Sequence, residues 1–226
     1  MKVLYLFAGV ALVLFLFRFG KRLLMLLFLR KVGRVALKDV GQRAVDKQPD
    51  SIHLVQKNHA WKDETAIRNL ISPIQTLGFQ DAGHYEIPEM PQLVLQFLFK
   101  KDESIAAAVY EHQKAGTWID FFTHYLDGSS FTITSLRDRG LQKRRQKQIV
   151  HAPGLNSGTL YHRFVKERPP GDMKPVTADS VVKMFEDAYA ADIAWRRGHP
   201  ITPEEVARVI QTSRVDPKIN VNAKLK

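Results

Sequence analysis

Cysteine is absent from this sequence, which excludes disulfide staples, cysteine nucleophiles and thiolate metal sites and is compatible with a reducing compartment. A phosphate-binding glycine loop and a paired-glycine dinucleotide fingerprint are also missing. Asn156-Ser157-Gly158 lacks the flanking glycine of a nucleophile elbow. The eight histidines, His53, His59, His84, His112, His124, His151, His162 and His199, include no pair on one helical turn and no other short metal-ligand spacing. No cofactor and no metal site is expected from these patterns, and no internal repeat is evident.

A long apolar run occurs at the start of the chain. Val3 to Phe17 carries no charge, and eleven of its fifteen residues are Leu, Phe or Val. At roughly −0.3 to −0.6 kcal/mol each at a bilayer centre, these favour insertion by about 3–7 kcal/mol. Arg18, Lys21 and Arg22 would each cost roughly 2.5–3.5 kcal/mol in the same place, so the membrane segment should end near Arg18. A helix from Met1 to Phe17 reaches about 25 Å, slightly short of a hydrocarbon core of about 30 Å. A cleaved signal peptide would exit through small polar residues, whereas this run exits into arginine, lysine and a second apolar stretch, Leu23 to Leu29. The cations after the span favour a cytoplasmic C-terminal side.

Met25, Phe28, Leu29, Val32, Val35 and Ala36 then fall at helical spacing, with Arg30, Lys31, Arg34 and Lys38 on the other face. That pattern reads as a basic helix lying on an anionic leaflet, or as a longer helix leaving the membrane. The expected division is a transmembrane anchor over 1–19, a basic juxtamembrane helix and linker over 20–48, a soluble domain over 49–212 and a disordered tail over 213–226. Asp39 to Asp50 is the linker, being polar with Gly41 and Pro49.

The net charge of +11 is uneven. Residues 1–48 hold ten basic against two acidic side chains, residues 49–136 hold six against eleven, and residues 137–176 hold ten against three. An acidic centre between basic flanks argues against a nucleic-acid-binding module. The densest block, Lys143-Arg144-Arg145-Gln146-Lys147, has no interleaved aromatic residue. It reads as a solvated loop or as a second lipid contact. The residues expected at lipid headgroups are Arg18, Lys21, Arg22, Arg30, Lys31, Arg34, Lys143, Arg144 and Arg145.

Within the soluble region, Ser51 to Gln56 reads as a short strand and Asp63 to Leu77 as a helix ended by Gly78, with Pro73 expected to break or kink it near Ser72. Five strands follow: Gly83 to Ile87, Leu93 to Lys100, Ser104 to His112, Thr117 to Tyr125 and Ser130 to Leu136, separated by turn formers such as Asp127-Gly128. Adjacent Phe121 and Phe122 must point to opposite faces, so apolar cover is expected on both sides of the sheet. His151 to Thr159 reads as a loop and Leu160 to Glu167 as a strand or short helix. A long helix starts at a Thr177 N-cap, and another opens at Thr202-Pro203-Glu204-Glu205 and should bury Val206, Val209 and Ile210.

The fold class expected is therefore α+β: an N-terminal transmembrane helix, then an antiparallel meander of about five strands packed with helices, including a long C-terminal one. The functional reading is a non-enzymatic, membrane-anchored cytoplasmic domain that binds a partner protein. A second is a module enclosing a lipid or other apolar ligand between helix and sheet. A third is a membrane-tethered hydrolase using His151, His162 or Asp120, which requires those side chains to meet in one cleft. Asp120 and His124, four apart on one strand, share a face but sit about 13 Å apart by rise, too far for a direct acid–base pair.

Overall fold

The computed structural model of the chain describes residue 33 and residues 35–215. The anchor over 1–19, most of the basic helix and the chain beyond 215 lie outside the described residues, among which no helix is long and apolar enough to cross a membrane.

The domain is α+β, with a seven-stranded mixed sheet and five helices among the described residues. Its elements are α1 (35–46), β1 (Val55–Gln56), α2 (Glu64–Gln75), β2 (Gln80–Glu86), β3 (Leu93–Lys100), β4 (Ile105–His112), β5 (Gly116–His124), β6 (Ser130–Thr134), β7 (Lys147–His151), α3 (Ser157–Glu167), α4 (Ala178–Gly198) and α5 (Pro203–Val215). The strands lie in sequence order. Each neighbour pair is antiparallel through β6, but β7 runs parallel to β6.

That last pairing corrects the all-antiparallel expectation. Short connections enforce hairpins, whereas the stretch 135–146 is long enough to carry the chain back to the start of β6. The basic block is thus a crossover that delivers Lys147 into an edge strand, and β1 brings the strand count to seven.

Alternation along the strands divides the core in two. Leu98, Ala107, Val109, Ile119, Phe121, Phe131 and Ile133 pack with α2 and α3 on one face. Leu95, Phe97, Phe99, Ala106, Ala108, Tyr110 and Phe122 pack under α4 on the other. Phe121 and Phe122 part as their adjacency requires, and β3 is covered on both sides. At roughly 25 cal/mol per Å² of apolar surface, this double burial is the main stabilising term. It also holds the weak strand former alanine in the central strand, where Ala106, Ala107 and Ala108 are fully buried.

Local signals explain most helix ends. Asp63 caps α2 by accepting from the Ala66 N–H. Pro73 lies inside α2 without breaking it at Ser72; the helix runs three residues further, to Gln75, before Gly78 reverses the chain at φ +90°. Thr177 and Ser180 cap each other's backbone at the start of α4. Residues 157–167 are helical rather than extended, capped by Asn156.

The expected linker over 39–50 is helical through residue 46. Gly41 and Val45 are buried four apart on one side of α1, and a Cβ at Gly41 would lie 2.8 Å from the Ile201 carbonyl oxygen. Glycine is needed there for close helix approach rather than for a flexible linker. In α5, Val206 is buried as expected, whereas Val209 is half-buried and Ile210 is exposed. The α5 helix also continues past residue 212 to Val215.

Candidate functional site

A half-open cavity of about 300 Å³ lies between α4 and the sheet face formed by β4 to β7. The register builds its floor. Asp120 on β5 stands opposite Thr134 on β6, which stands opposite His151 on β7. One step along, Phe122, Thr132 and Ile149 form a second row, and His124, Ser130 and Lys147 form a third. The side-chain period of two puts all three rows on one face. Tyr110 from β4 closes one side, and Phe185, Ala188, Tyr189 and Asp192 from α4 form the roof.

The charged groups within this cavity are not equally satisfied. Asp192 is bound by Arg144 at 2.7 Å and by Lys147. The imidazole of His151 is occupied at both nitrogens: Nδ1 lies 2.9 Å from the Leu136 carbonyl oxygen and Nε2 lies 2.9 Å from Lys143 Nζ. Asp120 differs from these, because its Oδ1 is shut away from solvent with no hydrogen-bond partner. Burial pushes the Asp120 carboxyl up to about 6, against the opposing pull of the Thr134 and Tyr110 hydroxyls and of Lys147. Burial, helped by Lys174, Lys147 and Arg144, pushes His124 down to about 4. At neutral pH the site therefore holds an ionised carboxylate beside a neutral imidazole. Tyr110 stays a phenol, its ionisation disfavoured by burial and by Asp120.

Asp120, His124 and His151 thus line one cavity. His162 does not join them, since it is exposed on α3, the helix packed against the opposite face. His151 cannot act as a base while both nitrogens are engaged, so the side chains named for hydrolysis do not form a nucleophile–base–orienter set. Sequence reasoning missed Tyr110, Tyr189 and Asp192. The last two sit three apart on α4, a helix spacing that also fits an ordinary amphipathic face.

Of the residues expected at lipid headgroups, Arg18, Lys21, Arg22, Arg30, Lys31 and Arg34 lie outside the described side chains. In the crossover, Lys143 turns to His151, Arg144 turns to Asp192, and Arg145 is exposed.

A second polar cluster lies near β2. His59 and His84 ring centroids are 5.4 Å apart, both pack on Trp61, and His59 Nδ1, His59 Nε2 and His84 Nδ1 are buried without partners. No group of three or more metal-ligand side chains occurs among the described residues. The cavity under α4 is therefore the better-built site. Compared with family models, with characterised proteins and with solved structures, the chain finds no match.

Proposed function

We propose that this chain is a membrane-anchored domain, held on the cytoplasmic side by its N-terminal apolar segment, that binds a small ligand between α4 and the sheet. One observation carries the reading: the cavity is lined by the Asp120 carboxylate, whose Oδ1 is buried without a geometric hydrogen-bond partner. A polar atom left in that state costs about 1–3 kcal/mol, more when charged, and a ligand donor would recover that cost. The volume supports a small occupant, since about 300 Å³ is at the lower end for ligand pockets, and a cavity of roughly 150 Å³ accommodates benzene. A lipid acyl chain fits less well, because it would leave Asp120 Oδ1 unpaired.

Binding of a protein partner is the second reading. Its support is the β7 edge, which pairs with β6 on one side only, beside exposed Leu126 and Leu141.

Native mass spectrometry of the full-length protein, released in a mild non-ionic detergent, tests the first reading. A small-molecule adduct is expected on the native chain and should be lost in Ala188→Phe, which fills the cavity from α4. A bare native chain, or an adduct indifferent to Ala188→Phe, would count against it. Protease added to intact spheroplasts should spare the domain; digestion from outside would reverse the orientation.

A further inference from the structure

Resting on the ligand-binding reading, we propose that the ligand is an organic amine, its ammonium pairing with the Asp120 carboxylate and its apolar body lying among the rings of Tyr110, Phe122, Phe185 and Tyr189. Four aromatic side chains and the Asp120 carboxylate line this cavity. An ammonium satisfies both kinds of group, because it donates charge-assisted hydrogen bonds to a carboxylate and is attracted to aromatic faces.

Other ligand chemistries fit worse. Asp192 already holds Arg144 and Lys147, so it does not compete for the ligand's charge. An anionic ligand would meet Asp120 without a free cation to offset it, because Lys147 is committed to Asp192. A neutral alcohol could donate to Oδ1 but would leave the buried negative charge uncompensated. Inside the cavity one cation pair is closed, both nitrogens of one imidazole are bonded, and Asp120 Oδ1 has no hydrogen-bond partner.

The polar and charged groups that line the cavity with Asp120 are Tyr110 from β4, His124 from its own strand, Thr134 from β6, Lys147 and His151 from β7, and Tyr189 and Asp192 from α4. His124 stays neutral down to about 4. Asp120, with its midpoint near 6, gains a proton between pH 8 and pH 5. An amine that needs ionised Asp120 should bind well at pH 8 and poorly at pH 5.

Isothermal titration calorimetry on the full-length protein in dodecyl maltoside provides the test, with 2-phenylethylamine, 2-phenylethanol and 3-phenylpropionate as probes of near-equal size. At pH 8 the amine should bind about tenfold more tightly than the alcohol, the difference between a charge-assisted and a neutral hydrogen bond. The propionate should bind weakest. The preference should disappear at pH 5 and in Asp120→Asn, and Ala188→Phe should abolish binding of all three. Alcohol or propionate binding as tight as the amine, still blocked by Ala188→Phe, would overturn the amine assignment and leave the ligand site standing. Absence of binding by every probe, together with a bare chain in native mass spectrometry, would overturn both.

Discussion

Asp120→Asn is expected to stabilise the protein at pH 8 by about 1–2 kcal/mol and to leave it unchanged at pH 4. The carboxyl titrates near 6 in the folded chain, above its ordinary 3.8, chiefly because burial disfavours its charged form. A folded pKa raised above the unfolded value means that the folded state binds the proton more tightly, so the fold loses stability as the pH rises from about 3.8 to about 6, and the full penalty is present above 6. A shift of about two units corresponds to about 3 kcal/mol at most, and access of water through the half-open cavity reduces it. Asparagine removes the charge and so the penalty. His124 has the opposite sign. Its pKa falls from 6.5 to about 4, so its stabilising contribution is complete above 6.5 and is lost as the pH falls toward 4. His124→Gln should therefore match the native protein at pH 7.5 and exceed it by on the order of 1–2 kcal/mol at pH 4. In the native chain the two slopes oppose each other between pH 4 and pH 6, and either substitution unmasks the other. Thermal unfolding followed by circular dichroism at pH 4, 6 and 8 gives the comparison; parallel curves for all three proteins would refute the assignment of both groups. A residue that weakens the fold at neutral pH is the usual mark of a site kept for binding, where stability is given up for a reactive or unsatisfied group.

Glu205→Ala should cost about 3–5 kcal/mol, the largest effect expected for a single substitution away from the cavity. The Glu205 side chain is fully buried. It accepts from the Gln142 N–H at 2.7 Å, the Thr202 N–H at 2.9 Å and Arg196 at 3.2 Å. Burial raises its carboxyl, but these three donors together bring it below the ordinary carboxylate value. The group therefore stabilises above the unfolded value near 4.5, and that support is lost as the pH falls through the lower folded value. Removing the carboxylate takes away the anionic partner of Arg196, whose side chain is 12% exposed and which keeps only the Gln142 carbonyl and the Trp195 ring, and leaves two backbone N–H groups unpaired. Glu205→Gln keeps one acceptor oxygen and should lose roughly half as much. Because Glu205 ties α5 and the end of α4 to the crossover through Gln142, its loss should also loosen the crossover backbone and speed trypsin cleavage after the already exposed Arg137, Arg139 and Arg145. Unfolding midpoints combined with limited proteolysis would show this; an alanine variant as stable and as resistant as the native chain would contradict it.

The contrast between those two carboxylates indicates how far the sequence could be read. Glu205 was legible because it belongs to a local signature, Thr202-Pro203-Glu204-Glu205, whose reciprocal bonds form within one helical turn. β3 was legible to the residue, since Leu93 to Lys100 is a run of strand formers between turn formers. The β7 strand was not. Its two apolar residues, Ile149 and Val150, follow a block of cations, and parallel pairing with β6 depends on a long crossover rather than on a turn. The helix α1 was hidden for a similar reason: Gly41 reads as a breaker until Ile201, 160 positions later, is found against it.

The cavity was legible only in fragments. Asp120 and His124 share a strand face by the period of two, which is local information. Their convergence with Tyr110, Lys147 and His151 follows from the register of four strands, and the roof of Tyr189 and Asp192 follows from where α4 crosses them. Neither register nor crossing is encoded within a short stretch of chain. Burial, which sets the protonation of Asp120 and His124, arises only once those elements meet.

Carbon-13 NMR of the Asp120 side-chain carboxyl, in full-length protein labelled at aspartate and assigned by Asp120→Asn, tests the ligand site most directly. The account predicts a titration midpoint near 6 in the free protein, displaced downward when 2-phenylethylamine is added, because the ammonium favours the ionised form. A midpoint near the ordinary 3.9 of a solvated aspartate, unmoved by the amine, would contradict it.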